Sequence, residues 1–297
     1  MIKKLYLHGG IFHADDVAVA AMMQFVNPAI EIRRVNKVPN NLSDEDVMVA
    51  DIGGGKYDHH QKDVPIRKDG FKHSAASLVW QDYGPEIVRL MFPLHNLSGN
   101  DIAVIVGRFD AQVLRSIAAM DNGHSVSTTD FENHVLGGED VVSLSSLVSQ
   151  FNPNWDSPFP VDACFFQAVN FVKEIFRRTL SRMASSFAAN ALVRQYLKAS
   201  NDVRILVMDQ YIPWQGEVVK NSPETLMVIF PSLRGGYNLQ LVPEKLGCRE
   251  TKTHFPVEWM SGRMPAGATF VHQSGFMAAF DTKNAALCAA QSVLAVK

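Results

Sequence analysis

The sequence predicts an α/β protein: a largely parallel sheet with helices on both faces, then a smaller α/β domain, joined by a long helical segment. Three observations predict this. Strand-like and helix-like segments alternate from residue 2 to about residue 120, the pattern of βαβ construction. Residues 163–199 hold neither Pro nor Gly and repeat apolar residues at helical spacing. Beyond them, short β-rich runs return, two of them divided by a Gly pair. A length of 297 residues also fits two domains of roughly 100–200 residues each. The expected divisions are 1–160, a helical connector at 161–200, and 201–297.

Each element has its own signal. Residues 2–7 form an apolar-rich run that stops at His8-Gly9-Gly10, a strand followed by a loop. Asp15 and Asp16 precede Val17-Ala18-Val19-Ala20-Ala21-Met22-Met23, a helix start with acidic residues in its first turn. Residues 30–35 and 47–52 read as further strands, the second ending in Gly53-Gly54-Gly55. Helical patterns follow at 74–82 and 102–120. In the last third, strands are expected at 204–208, 225–230, 237–242 and 269–272. A hairpin turn is expected at Arg234-Gly235-Gly236, and a closing helix at 284–295.

Composition bounds the function. Lys and Arg number 28 and Asp and Glu 30, a net charge of −2, with 47% hydrophobic and 20% charged residues. A disordered chain would carry fewer apolar residues and more net charge. Cys164, Cys248 and Cys288 are widely spaced and none belongs to a CxxC pair, which argues against a disulfide framework or a Cys-type zinc site. Free thiols suit a reducing compartment. The early lysines are followed by His8, Gly9 and Gly10 rather than by a signal-peptide core, and no 18-residue apolar run occurs. The expectation is a soluble cytoplasmic protein without a membrane partner. A homodimer is compatible with the sequence.

Charge is uneven. Residues 1–161 hold 13 basic and 20 acidic residues and eight of the ten histidines, while 162–199 hold six basic against two acidic. The acidic, His-rich part has the donors a divalent-cation site needs, or is merely an acidic surface. Arg177, Arg178 and Arg182 form a basic stripe on the long helix, either a solvated face or one that attracts phosphate.

Four short segments decide between those readings by occurring together. They are His8-Gly-Gly-Ile-Phe-His13-Ala-Asp15-Asp16, Val49-Ala50-Asp51-Ile52-Gly53-Gly54, Tyr57-Asp58-His59-His60-Gln61 and Ala119-Met120-Asp121-Asn122-Gly123. Singly each is weak: a His pair is ordinarily a surface pair, Asp-Asn-Gly a turn, and Asp16 reads as a helix cap. Strand ends at His8 and Asp51 would meet at the carboxyl edge of a parallel sheet, where ligands collect in open α/β folds.

Asp58-His59-His60 resembles the motif that names the DHH phosphoesterases. The longer strings are similar to one branch, the melanocyte-proliferating-gene family, whose members are often labelled metal-dependent protein hydrolases. Phe12-His13-Ala14-Asp15-Asp16, the Asp51 and His59 segments, Ala119–Gly123, Phe151-Asn152-Pro153-Asn154-Trp155, Val271-His272 and Gly275-Phe276 carry the likeness. The resemblance implies a DHH-type catalytic domain and a two-metal site. His8 and His13 would bind one ion, Asp15, His59 and Asp121 the other, and Asp51 would bridge both. Asp58 would orient the ligand histidine, and His60 would face substrate phosphate. Most of the wider superfamily reads His-x3-Asp-x-Asp in the first motif, whereas this chain reads His-x4-His-x-Asp. The extra imidazole favours Mn²⁺, with Mg²⁺ the alternative. From the second domain, His272 would reach substrate, with Arg263 or the backbone N–H groups of the Gly235-Gly236 turn as further candidates. His272 also reads as an ordinary strand-end histidine, and the glycines as a plain hairpin.

Two divalent ions activate water and stabilise an in-line displacement at phosphorus. The expected activity is that of a phosphodiesterase, a 3′-5′ exonuclease on short single-stranded RNA; the RNA preference comes from the resemblance. Alternatives are a small-molecule phosphohydrolase for pyrophosphate or a cyclic dinucleotide, and a non-catalytic binding protein stabilised by metal. Peptide hydrolysis is disfavoured, since no His-Glu-x-x-His occurs.

Overall fold

The computed structural model describes residues 1–40, 42, 45–95, 97–124, 127–129, 135–137 and 142–295. Strand β1 (Lys4–His8) leads into α1 (Ala14–Val26), followed by β2 (Glu31–Val35) and β3 (Val47–Val49). These strands form a three-stranded sheet of order β2-β1-β3, parallel throughout. Leu5 and Leu7 of β1 are fully buried, as a central parallel strand requires. Helix α1 is buried on nearly every side, which explains its near-continuous Val, Ala and Met sequence. It packs against α2 (Ala75–Met91).

The third strand is shorter than its apolar run. Pairing stops after Val49, Ala50 bridges only to Tyr57, and Asp51 turns into the left-handed region at φ 59°. Helix α2, in contrast, continues past Gly84-Pro85, where the sequence suggested a stop. Pro85 removes one helical hydrogen bond, yet Ile87 and Val88 beyond it are fully buried, and that burial carries the helix on. The segment read as one helix at 102–120 is three pieces: α3 (Gly99–Phe109), a π-helical turn (Asp110–Leu114) and α4 (Arg115–Asp121). Two short strands, β4 (Ser127–Thr129) and β5 (Val135–Gly137), pair antiparallel and precede α5 (Leu144–Ser149).

Helix α6 (Val161–Ala199) is a single helix of 39 residues. The chain divides into two compact units, Met1–Ala184 and Ser185–Lys297, with the division inside α6.

The second unit is built on a five-stranded sheet of order β6-β7-β8-β10-β9. Its strands are β6 (Ile205–Val207), β7 (Met227–Pro231), β8 (Tyr237–Leu241), β9 (Ala268–Val271) and β10 (Met277–Phe280). Only β6 and β7 pair in parallel. The hairpin at Arg234-Gly235-Gly236 joins β7 to β8. Gly236 is required there, because a Cβ would overlap the Phe280 carbonyl oxygen. Strand β10 was not anticipated from the sequence; it is four residues long and enters the middle of an antiparallel group. The short helices α7 (Gln215–Asn221) and α8 (Val257–Met260) were not anticipated either. Helix α9 (Lys283–Ala295) closes the unit and packs on β7, β8 and β10. Among the described residues no helix is long and apolar enough to cross a membrane.

Candidate metal centre

His8 stands at the end of β1 and Asp51 just beyond β3, so parallel pairing of the two strands brings them together. The His8 Nδ1 lies 3.0 Å from the Gly9 carbonyl oxygen, which directs Nε2 inward. That Nε2 is 3.3 Å from Asp51 Oδ2 and 3.5 Å from Asp16 Oδ2. His59 Nε2 lies 3.1 Å from Asp51 Oδ1, 2.8 Å from Asp121 Oδ2 and 3.9 Å from Asp15 Oδ2. Asp51 therefore stands between the two imidazoles, one oxygen towards each.

The turn after β3 makes this possible. Asp51 N–H donates to the Tyr57 carbonyl, and Gly54 N–H donates to Asp58 Oδ2 at 2.7 Å. Gly53 and Gly54 hold φ of 89° and 72°, which only glycine adopts without penalty. Tyr57 Oη donates to Asp82 of α2 and ties the turn to that helix.

Asp15 is fully buried, and its two oxygens accept the N–H groups of Ala75 and Ala76 at 2.7 and 2.9 Å. It thus caps the amino end of α2, where a carboxylate is favoured by the helix dipole. Asp16 accepts the His13 N–H through Oδ1, the capping bond expected of it, and turns Oδ2 towards His8.

Charge in the cluster is shared. The Asp51 hydrogen bond lifts the His8 imidazole to about 9, against the effect of burial. Burial opposes the charged form of His59 too, yet Asp121 and Asp51 raise it to about 10. Burial acts to raise Asp51, but the imidazoles of His59 and His8 beside it override this and hold the carboxyl at about 2. Burial pushes Asp16 up to about 7, and burial with the charges of Asp121 and Asp51 drives Asp15 well above its ordinary range. Four carboxylates around two imidazoles make a site that calls for positive charge.

The fit to metal rests on atoms without partners. Five buried side-chain nitrogen or oxygen atoms among the described residues make no hydrogen bond, and three are Asp16 Oδ2, Asp51 Oδ1 and Asp121 Oδ2. A buried carboxylate oxygen without a donor is costly unless a cation meets it. Three sets of donor atoms lie within 4.8 Å of one another: His8, Asp16 and Asp51; Asp15, His59 and Asp121; and Asp51, His59 and His60. Mixed carboxylate and imidazole donors suit a divalent transition ion.

The sequence pointed to His13 beside His8. The structure brings Asp16 into that donor set, while the exposed His13 ring stands 5.8 Å from the His8 ring, centroid to centroid. His13 lines the same cavity of about 490 Å³ as His8, Asp51, His59, His60 and Asp121. Asp58 was expected to orient the ligand histidine. Its carboxylate instead meets His60, with Oδ1 2.9 Å from the ring Nδ1 and 3.0 Å from the backbone N–H. These N–H donors hold the Asp58 carboxyl below its usual range despite some burial. His60 is exposed, its ring centroid 4.2 Å from that of His59.

Two supports of the site escaped sequence reasoning. Asn152 clamps Phe12, its Oδ1 accepting the backbone N–H and its Nδ2 donating to the carbonyl, at 3.0 and 2.9 Å. The Arg34 guanidinium, on β2, donates to the Gly10 carbonyl and to Asp162, lies over the Phe165 ring and approaches Asp16 Oδ2 at 4.0 Å. The Phe151–Trp155 string carried the first signal; nothing in the sequence marked Arg34.

His272 lies in the second unit, at the end of β9, where its Nδ1 accepts from the Ser274 N–H and lies 2.8 Å from Ser274 Oγ. The Gly235 N–H is taken by the Ser232 carbonyl, so that turn has one fewer donor for phosphate than expected. Arg263 is exposed beyond α8. On α6, Arg177 and Arg178 both donate to Glu174, which answers part of the basic stripe.

The family model for MYG1_exonuc, described as Uncharacterised protein family (UPF0160), matches residues 4–294. MYG1 protein C694.04c of Schizosaccharomyces pombe is 26% identical, covering 99% of this chain and 98% of its own length. MYG1 protein C27H6.8 of Caenorhabditis elegans is 28% identical, covering 100% and 96%. The Homo sapiens protein called MYG1 exonuclease is 25% identical, covering 97% of this chain and 85% of its own. No solved structure matches the chain. The match takes in both units and every segment that builds the centre, and the chain belongs to the MYG1 family, UPF0160.

Proposed function

We propose that this chain is a divalent-metal-dependent phosphodiesterase of the DHH type, and that it acts as a 3′-5′ exonuclease on short single-stranded RNA. The observation that carries the metal reading is the trio of buried, unpartnered carboxylate oxygens beside two imidazole Nε2 atoms. The exonuclease reading is supported by the name of the mouse and human relatives. The RNA preference and direction of attack rest on the motif resemblance.

In this reading His8, Asp16 and Asp51 would hold one ion, and Asp15 and Asp121 with His59, which also lies beside Asp51, would hold the other. Asp16 stands where a second imidazole was expected, so the preference for Mn²⁺ over Mg²⁺ rests on the one imidazole that remains in each of these donor sets. A bound pair of such ions supplies Lewis-acid activation of water and neutralises charge that develops at phosphorus. The chain does the rest. Asp15, anchored by two α2 N–H groups, holds its oxygens still. Asp58 fixes the His60 ring through Nδ1, which leaves Nε2 to meet a phosphoryl oxygen.

The test is a 5′-labelled short RNA with metal-stripped protein, given Mn²⁺, Mg²⁺ or no metal, beside a folded Asp51→Ala/His59→Ala control. Mn²⁺-dependent shortening from the 3′ end, absent in the control, is expected. No shortening with either metal contradicts the exonuclease reading. Turnover of pyrophosphate or a cyclic dinucleotide instead would move the assignment to small phosphoesters.

A further inference from the structure

Helices α3 and α4 bury one continuous stripe, but its spacing is not that of a single α-helix. Ile102, Ile105 and Phe109 are followed in the core by Leu114, Ile117 and Ala118. The step from Phe109 to Leu114 is five residues, where three or four would keep to one face. Val113, which regular spacing would bury, is only half-buried. The π-helical turn takes up the extra residue, and in it the Arg115 N–H donates to the carbonyl of Asp110, five residues back. A residue absorbed in this way shifts every later residue by one place on the buried face. Asp121, three residues past Ala118, therefore arrives beside His59, with its Oδ2 2.8 Å from Nε2. An uninterrupted helix would bring Met120 to that place and turn Asp121 about 100° away.

One hairpin grips the turn at both ends. Residues 65–73 follow the Asp58-His59-His60 string and close on themselves, with the Arg67 N–H donating to the Phe71 carbonyl and the His73 N–H to that of Pro65. The Arg67 side chain is 4% exposed and donates to both oxygens of Asp110, at 2.8 and 2.7 Å. A guanidinium paired through two bonds fixes direction as well as distance. Arg67 Nε also lies 3.2 Å from Asp69 Oδ1, and Asp69 Oδ2 lies 3.4 Å from Arg115 Nε. Arg67 thus holds the first residue of the turn, and Asp69 the residue just after it. Residues five apart in an α-helix point about 140° from one another. The wider turn brings Asp110 and Arg115 to one side, where a single hairpin meets both. The alternation Asp110, Arg67, Asp69, Arg115 is a charge pattern fitted to the π register. Asn122 adds a tie directly after Asp121, its Nδ2 donating to the Lys72 carbonyl at 3.3 Å.

We propose that Arg67 and Asp69 are positioning residues for the metal centre: by locking the π-helical turn they set Asp121, rather than Met120, opposite His59. The inference rests on the metal reading for what Asp121 then holds; the register of the helix stands apart from it.

The test is a Mn²⁺ titration of full-length, metal-stripped protein, followed by electron paramagnetic resonance and calorimetry. Wild type is compared with Arg67→Met, and with Arg67→Met from which Gln112 is deleted. Gln112 lies in the turn and is exposed. Arg67→Met should weaken one of the two ions by about 10–100-fold and leave the other near wild type. Loss of a positive charge by itself tightens a cation site, so the sign of the change separates positioning from electrostatics. Deleting Gln112 removes the extra residue and lets an ordinary helix carry Asp121 to the same place. It should restore the weakened ion in the Arg67→Met chain, which loss of a merely structural ion pair would not allow. If Arg67→Met does not fold, Asp69→Asn, which releases Arg115, carries the same expectation. The register is also read without metal, from the labelling rate of the thiol in Leu114→Cys, followed by peptide mass spectrometry. Labelling should be slow in the otherwise wild-type chain, rise about tenfold with Arg67→Met as the side chain leaves the core, and slow again when Gln112 is deleted. Mn²⁺ affinities unchanged by Arg67→Met, an unchanged labelling rate, or no rescue by the deletion each overturns the proposal. A wild type that binds no Mn²⁺ refutes the metal reading instead, and the labelling rates then decide the register.

Discussion

Asp51 concentrates the physical cost of the site in one residue. It is the one described non-glycine residue with positive φ, at 59°, and its carboxylate is buried between two imidazoles. An L-residue pays roughly 1–2 kcal/mol in that region. In the metal-free chain, Asp51→Gly should therefore be about 1 kcal/mol more stable than Asp51→Ala in urea unfolding, although both lose the bridging carboxylate. Equal stabilities would show that the turn is unstrained. The sequence made Asp51, His59 and Asp121 visible because each sits in a recognisable string. Asp16 was legible only as a cap, since an acidic residue in a first helical turn needs no further explanation. Its second oxygen gained meaning only when parallel pairing of β1 and β3 set His8 beside Asp51.

At the scale of elements, the centre depends on a loop held from far along the chain. Residues 9–13 connect β1 to α1, and Asn152 fixes Phe12 from 140 residues away. Asn152→Ala leaves two backbone groups without their partners and should cost about 1–3 kcal/mol. It should also weaken Mn²⁺ binding, read by calorimetry, because His8 and Asp16 lie on either side of that loop. Unchanged metal affinity would mean that the loop holds its shape without the clamp. A second anchor joins α1 to α2. Asp15→Ala removes the acceptor for two buried N–H groups, and a loss of about 2 kcal/mol in the metal-free protein is expected. Stability within about 0.5 kcal/mol of wild type would show that the cap contributes little. Long periodic elements such as α1 and α6 were legible. Strand β10 was not, because four residues between a glycine turn and Asp281 carry little pattern, and its place is set by β8 and β9. The π-helical turn at Asp110–Leu114 was hidden likewise. The apolar period continues through it, while Asp110 is held by Arg67 from another part of the chain.

For the whole molecule, the centre couples stability, pH and metal. His8 and His59 rise from an ordinary 6.5 to about 9 and about 10 on folding. The folded chain thus holds protons that the unfolded chain releases. Their stabilisation is complete below about pH 6.5 and is lost as pH rises through 9 and 10. The thermal midpoint of the metal-free chain should fall over that range, and added Mn²⁺ should abolish the fall, since the ion replaces those protons. A midpoint that rises with pH would contradict the charge distribution described. The alternation of elements told of two α/β regions and a long helical segment, and the strings named His8, Asp15, Asp51, His59 and Asp121 but put His13 where Asp16 stands. The strand order of the second sheet was illegible, because short strands do not announce their neighbours. The central claim is that one chain holds two ions joined through Asp51. The most direct measurement is a Mn²⁺ titration of the stripped protein followed by electron paramagnetic resonance. Two ions per chain with an exchange-coupled signal, lost in Asp51→Asn, are predicted; a single uncoupled ion, or a signal that Asp51→Asn leaves unchanged, would contradict it.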